Sequence, residues 1–493
     1  MVSIAIHLGQ LMGDRMADLL ALNERYYSDS HWFGWIGPVL PPTDADSRRV
    51  NAEVERVFQE CNKIRECVDR HRRALTAKSA SWSFAEPQGD AAEQFMHLLL
   101  GWMITRSGRS RQPRYGEPIA FPNAIAEAVH YRLLGGKGYL RLWLPRRFER
   151  GAAWQRVAIH APHPAFVQVD RDGDGLPWRL AYEYQRGEDT FREVQELQDN
   201  GLTAFRTEDA GGDILPDSEY TLDLGGRFTV AEIQGTPIVR AAERRLQNGI
   251  NYVLTLMIRN LQYGGFLRDI IINGMPPGEY DSAGRFIPDP GGWVEGPGAK
   301  LEVTGIPIYD SEGNVSGYTT PNVDTRNPVD VGPFLAAYRS NVAMLYEAFG
   351  QGHILSNDMV VSGVSRVQLR QDFQTAATED ASALRVALSE IYAAAYLLAN
   401  PDASPNTSVI VEPRLSVSDP TPEEVTALVN VHASRLRSTH STMGLLGVEN
   451  PASEMEAIAE EEAERMTARQ PSIESLLEGT EDSEIEEEDD DDA

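Results

Sequence analysis

"PIVRAAERRLQNGINYVLTLMIRNLQ" (residues 237–262) carries two interleaved repeats. Ile238, Ala242, Leu246, Ile250, Val253, Met257 and Leu261 recur three or four residues apart. So do Arg240, Arg244, Gln247, Asn251, Thr255, Arg259 and Gln262. This spacing predicts a helix over 237–262 with one apolar and one polar stripe, roughly 40 Å long at 1.5 Å per residue. The chain that follows cannot extend it. "NGMPPGEYDSAGRFIPDPGGWVEGPGAK" (273–300) is too rich in Gly and Pro for helix. Short strands are expected instead, in "LEVTGIPIYD" (301–310) and "GNVSGYTT" (313–320).

Helix resumes near Pro333 and ends at Phe349, followed by the polar segment "GQGHILSNDMVVSG" (350–363). The longest helix is predicted from Val364 to Leu398, with Phe373, Ala377, Ala381, Leu384, Leu388, Ile391, Ala395 and Leu398 as its seam. "NPDASPN" (400–406) stops it, a strand lies in "SVIVEPRL" (408–415), and further helices are read at 421–436 and 451–468. Upstream, helices are read at 14–27, 90–105 and 122–134. A single long one is read over 49–77, with Val54, Val57, Phe58, Cys61, Ile64 and Val68 on its apolar face. From "GGKGYLRLWLP" (135–145) to about residue 230 the pattern is alternating strands, with a hairpin in "AFVQVDRDGDGLPWRLAYEYQ" (165–185). The fold class is α+β and multidomain.

Composition narrows the function. The net charge is −29, and residues 449–493 hold 19 acids against two arginines. The last thirteen residues, "EDSEIEEEDDDDA", contain ten acids and read as a solvated tail. Of 45 cations only Lys63, Lys78, Lys137 and Lys300 are lysine. Arginine suits bidentate pairing at subunit interfaces, and a GC-rich genome would give the same bias. No uninterrupted apolar run approaches the 18 or so residues that span a bilayer, and no membrane partner is expected. Cys61 and Cys67 read as reduced thiols.

Catalytic and metal motifs fail one by one. "DRDGDG" at Asp170 resembles a calcium loop, but its twelfth position is Ala181 rather than a bidentate Glu. "GGKG" at Gly135 lacks the spacing of a phosphate loop and reads as a turn. The histidines are scattered. His160 and His163 have no neighbouring ligand at metal spacing, and His71, in an Arg-rich helix, is expected to be exposed. No catalytic constellation, metal site or cofactor is expected, so the chain is read as a non-enzyme. An intracellular α+β hydrolase would need convergent ionisable groups that the sequence does not display.

One further stretch sets a question. "SGVSRVQLRQDF" (362–373) places Arg366 and Arg370 one helical turn apart, and neither has a carboxylate three or four residues away. Like charges at that spacing repel slightly, so their partners belong elsewhere. This stretch resembles the start of the long helix of tailed-bacteriophage portal proteins, with Ser362, Gly363, Arg366 and Phe373 in matching places. "LNERYY" (22–27) resembles that family's N-terminal signature, and "GLLGVENPASEMEAIAEEEAER" (444–465) its late pattern through Gly447, Pro451, Glu454, Ile458 and Glu462. The order of helices around a Gly/Pro-rich β insertion is also similar, over nearly the whole chain. Residues 264–330 match no sequence pattern of the family, and the acidic terminus is not required by it.

The resemblance implies a homododecameric head-to-tail connector ring at one capsid vertex of a virion, assembled in the host cytoplasm. It would serve as a conduit for double-stranded DNA during packaging and genome ejection, without sequence specificity. Its partners would be terminase, a major capsid or scaffolding protein, and later a head-to-tail adaptor or tail. Residues 1–235 would be an α+β wing, 236–263 and 331–349 stem helices, and 264–330 a β-rich clip. Residues 350–362 would form a tunnel loop, 363–400 the long wing helix, 401–480 a helical crown and 481–493 the acidic tail.

Within that frame Gln351, His353, Ser356, Asn357 and Asp358 would line the DNA tunnel. Ile250, Val253, Met257, Arg366 and Arg370 would meet a neighbouring subunit, the two arginines through carboxylates on the next chain. Trp293 would anchor a docking surface on the clip. Another capsid or neck ring protein is the alternative, and it would lack paired stem helices around a β insertion.

Overall fold

A computed structural model of the chain describes residues 18–34, 41, 43–107, 121–145, 148–264, 268–276, 278–280, 285–289, 303–326, 330–357, 363–416, 422–434 and short pieces between 439 and 460. Its helices are α1 (18–27), α2 (Ala45–Arg56), α3 (Lys63–Thr76), α4 (Asp90–Trp102), α5 (Ala124–Gly135), α6 (Ala241–Gly264), α7 (Gly332–Ala348), α8 (Gly363–Ala399) and α9 (Pro422–Ala433). With seven sheets of two to five strands beside them among the described residues, the chain is an α+β protein. It divides into two compact units. The first holds the described parts of Met1–Glu24, Arg65–Arg240 and Tyr346–Ala493, and the second holds those of Arg25–Ile64 and Ala241–Leu345.

In the first unit, α5 is buried almost end to end. Asn123 caps it by accepting the Ala126 N–H. Gly136 ends it in the left-handed region, with φ 84°, where a side chain would be strained. "GGKG" is thus a helix-to-strand turn into Lys137–Trp143. That strand is central in a three-stranded sheet between Ala158–His160 and Val230–Gln234. A five-stranded meander runs from Val167–Arg171 to Tyr220–Leu222. Its first turn is the "DRDGDG" segment, where Asp172 accepts the N–H groups of Asp174 and Leu176. Tyr139, Leu180 and Val230 pack between these strands. Across the meander, Asp170, Arg179, Glu196, Arg206 and Glu208 form an alternating ladder with N–O distances of 2.9–3.1 Å. Many arginines therefore find their acids within the chain.

"NERYY" has a physical role. Asn23 is fully buried and donates to the carbonyls of Leu134 and Val239, at 2.7 and 2.9 Å. It ties α1 to the end of α5 and to the lead-in of α6. The Ile238 N–H is also taken, by the Leu133 carbonyl. Residues 237–240 are therefore held outside the helix predicted to include them, and α6 begins at Ala241.

The long helix α8 crosses the same unit. Residues Gln371–Ala399 are long and apolar enough to span a membrane, although alanines and scattered polar residues hide this from a search for apolar runs. Most of that stretch is buried instead, including Phe373, Ala377, Leu384, Leu388 and Ile391. Within it lies Asp380. His71 is buried at 3% exposure, not exposed as expected, because its Nε2 lies 2.7 Å from Asp380 Oδ2. Arg132, also buried, pairs with the other carboxylate oxygen. Gly235 makes room for it, since a Cβ there would fall 2.1 Å from the Arg132 guanidinium. Burial alone would raise the Asp380 pKa. The His71 hydrogen bond and the Arg132 charge outweigh that and hold it below the ordinary value.

Asp380→Ala leaves the buried Arg132 guanidinium and the buried His71 ring without their carboxylate. It should lower unfolding free energy by about 3–5 kcal/mol in denaturant titrations, and a loss under about 1 kcal/mol would show the triad to be weakly coupled. A second effect is set by His130. Burial, and next the Arg72 charge, push its pKa down to about 3. Because the folded value is depressed, its contribution is fully present above the unfolded value near 6.5 and is lost as pH falls toward about 3. His130→Leu should therefore flatten the acid side of the stability–pH curve by about 1.4 kcal/mol per pH unit between about pH 6 and pH 4.

Candidate subunit-contact and conduit elements

The second unit is organised on α6. Glu243, Gln247, Ile250, Asn251 and Thr255 are its buried residues, with 0% exposure at Gln247, Ile250 and Thr255. The middle of the polar stripe, Gln247, Asn251 and Thr255, thus faces inward, while Arg244 and Arg259 are half-buried and Arg240 and Gln262 are exposed. The apolar positions Leu246, Val253 and Met257 are only half-buried, and Leu261 is 41% exposed. Ile250 was expected at a subunit contact. It is buried within its own chain and offers no surface to a neighbour, because it shares the inward face with Gln247 and Asn251.

What covers the polar stripe is residues 57–64, a strap. The sequence predicted one helix over 49–77, but α2 ends at Arg56 and α3 begins at Lys63. Between them the strap's backbone is taken by α6 side chains. The Gln59 N–H donates to Thr255 Oγ1 (3.1 Å), and the Cys61 N–H to Asn251 Oδ1 (3.1 Å). The N–H groups of Lys63 and Ile64 both donate to Gln247 Oε1 (2.9 and 3.1 Å). Gln247 Nε2 returns a bond to the Cys61 carbonyl (2.7 Å) and one to Asn251 Oδ1 (3.1 Å). The strap advances two residues for every four on the helix. Two extended residues cover about 6.6 Å and four helical ones about 6 Å, so the registers match. His31, 1% exposed, completes the set. Its Nε2 lies 2.6 Å from the Tyr26 carbonyl, and its Nδ1 lies 2.8 Å from Asn251 Nδ2.

Beyond α6, four two-stranded sheets make up the described part of the insertion. Arg268–Ile272 pairs with Asn322–Arg326 and brings its ends together. Pro307–Tyr309 pairs with Val315–Tyr318 in a hairpin that leaves Ile308, Tyr309 and Tyr318 about half exposed. On α7, Leu335 and Met344 are exposed. Trp293 lies outside the described residues.

The expected tunnel loop is different from an open polar loop. In the first unit, residues Gly352–Asn357 form a 3-10 helix, and Gln351 before it is fully buried. Gln351 Nε2 donates to the Cys67 carbonyl (2.8 Å), and its Oε1 accepts from Arg70 (2.5 Å). Tyr346 alongside donates to Glu66 (2.7 Å). A buried amide satisfied in this way anchors the segment and cannot line a channel. His353 is half-buried with its ring 5.6 Å from Phe373. Ser356 and Asn357 lie on the 3-10 backbone. Their side chains, those of Arg366 and Arg370, and all of Asp358 lie outside the described residues. Cys67 is buried and Cys61 half-buried, and neither is in a disulfide. No group of three or more metal-ligating side chains occurs among the described residues.

No family model and no curated protein matches the chain. Among solved structures it is similar to one described as the neck of an empty GTA particle computed with C6 symmetry. The identity is 14%, over 85% of this chain and 97% of that chain, with a TM-score of 0.36.

Gln247→Met would take the acceptor from the Ile64 N–H, at about 1–3 kcal/mol for a group left dry. It would also leave the Lys63 N–H and the Cys61 carbonyl with only their 3.0 Å bond to each other in place of those to Gln247. Hydrogen–deuterium exchange should then show the strap amides losing protection while residues 384–397 of α8 keep theirs. Unchanged strap protection would mean that α6 does not hold the strap.

Proposed function

We propose that the chain is a portal-type subunit that assembles head to tail into a closed ring around a channel for double-stranded DNA. The observation that carries this reading is the order of elements: the 24-residue α6, a β-rich insertion closed by pairing at its base, the 17-residue α7, a short 3-10 turn and the 37-residue α8. That order accompanies the three local sequence resemblances. Inward polar packing on α6 also supports it, since it leaves Val253, Met257 and Leu261 available to a neighbour. Each such side chain contributes about 1.5–3 kcal/mol if fully covered, and every subunit of a ring repeats the contact.

The chain's own part in DNA passage is to avoid holding the DNA. A ring that neutralised many phosphates would bind tightly and with steep salt dependence. A subunit with net charge −29 is poor at that, which suits a conduit. Terminase, and later an adaptor, would dock on the insertion, where exposed apolar side chains are concentrated. Ring number, the vertex position and these partners follow from the portal reading.

Native mass spectrometry tests the ring. Wild-type protein should give closed assemblies of about a dozen chains, as the portal reading requires. Val253→Asp and Leu261→Asp should each remain a folded single chain of the same secondary-structure content. Rings that persist in both variants would remove α6 from the interface, and a wild-type chain that never assembles would overturn the reading.

A further inference from the structure

We infer that His31 is a protonation-sensitive latch for the strap, releasing residues 57–64 from α6 when its ring becomes cationic. The inference does not depend on the portal reading. It rests on a hydrogen-bond set with one consistent assignment. The Tyr26 carbonyl only accepts, so His31 Nε2 carries the proton of the bond between them. Asn251 Oδ1 already accepts from the Cys61 N–H and from Gln247 Nε2. The Asn251 amide therefore turns its NH2 toward His31 Nδ1, which must accept. The buried network is complete only with a neutral ring.

A second proton on His31 has one place to go, Nδ1, where it would face the Asn251 NH2 group. Rotating that amide would bring its oxygen to the imidazolium. It would also place NH2 against the Cys61 N–H and against Gln247 Nε2, so one clash becomes two. Either way the strap loses bonds that α6 supplies. The groups around the ring do not offer a remedy. Glu60, on the strap itself, accepts the His31 backbone N–H at 3.1 Å. Asp29 accepts from Asn62 at 2.7 Å. Tyr26 meets the ring with its own ring, 5.6 Å away, and its hydroxyl donates to Asn248. From α6 the facing group is the uncharged Asn251.

Hydrogen–deuterium exchange of the full-length protein, corrected for intrinsic exchange rates, reads the latch directly. On acidification from about pH 8 to about pH 5, amides 59–64 should lose roughly ten- to hundredfold in protection, the effect of one buried donor pair left unsatisfied. Amides 384–397 of α8 serve as the internal reference and should hold. Asn251→Asp supplies the second arm. A carboxylate there accepts from the Cys61 N–H and from a protonated Nδ1 together, so strap protection should rise rather than fall on acidification. Equal loss across strap and α8 would make the effect global unfolding and overturn the proposal. So would a strap indifferent to pH in the wild type, or the same acid loss in Asn251→Asp. Should that variant fail to fold, the wild-type comparison of strap with α8 still decides.

Discussion

The arrangement of α6 depends on a coincidence of pitch. A helix repeats a face about every four residues and an extended chain every two, and the two rises nearly agree. Gln247, Asn251 and Thr255 use that agreement to satisfy alternate N–H groups of residues 57–64. Buried backbone donors without partners are costly, so once the strap lies there the polar side of the helix must face inward. The half-exposed apolar side is the consequence. On α6 it leaves Leu261 in solvent and Leu246, Val253 and Met257 half-buried.

The first unit is organised differently, around charge rather than backbone. Asp380 on α8 joins His71 of α3 and Arg132 of α5, with all three side chains largely removed from water. Such a triad adds little net stability over an apolar equivalent, but losing one member is costly because it strands the others away from water. It sits beside Phe373, whose ring meets that of His71 edge-on at 5.4 Å. Gln351, held by Arg70 and the Cys67 carbonyl, fixes the start of the 3-10 turn against α3 in the same unit.

Regular periodicity was the most legible feature. The three- and four-residue repeats of α6 and α8 set both helices to within a few residues, and Gly and Pro marked the insertion and the Asp170 turn. The failures share a cause, which is that side chains act on distant backbone. The 49–77 pattern reads as one helix because nothing local shows that Gln247 will capture Lys63 and Ile64. The Pro237–Arg240 lead-in reads as helical because Asn23 and Leu133, more than a hundred residues earlier, are out of view. His71 and Gln351 look like surface residues until Asp380 and Arg70 are placed beside them. A polar stripe at perfect helical spacing carries no mark of which way it faces. Treating the apolar residues as one stripe turned toward a neighbouring subunit put Ile250 on that surface, when Ile250 turns inward with Gln247 and Asn251. "NERYY" was found as a pattern, and its reason, a buried asparagine joining three segments, appears only in three dimensions.

The central claim is that α6 keeps its polar stripe for its own strap and gives its apolar stripe to a neighbouring copy. A cryo-EM reconstruction of the purified wild-type assembly tests it most directly. The account predicts a closed ring in which Val253, Met257 and Leu261 contact the adjacent subunit while residues 59–64 remain bonded to Gln247, Asn251 and Thr255. A ring in which the strap has left α6 and the polar stripe forms the subunit contact would contradict it.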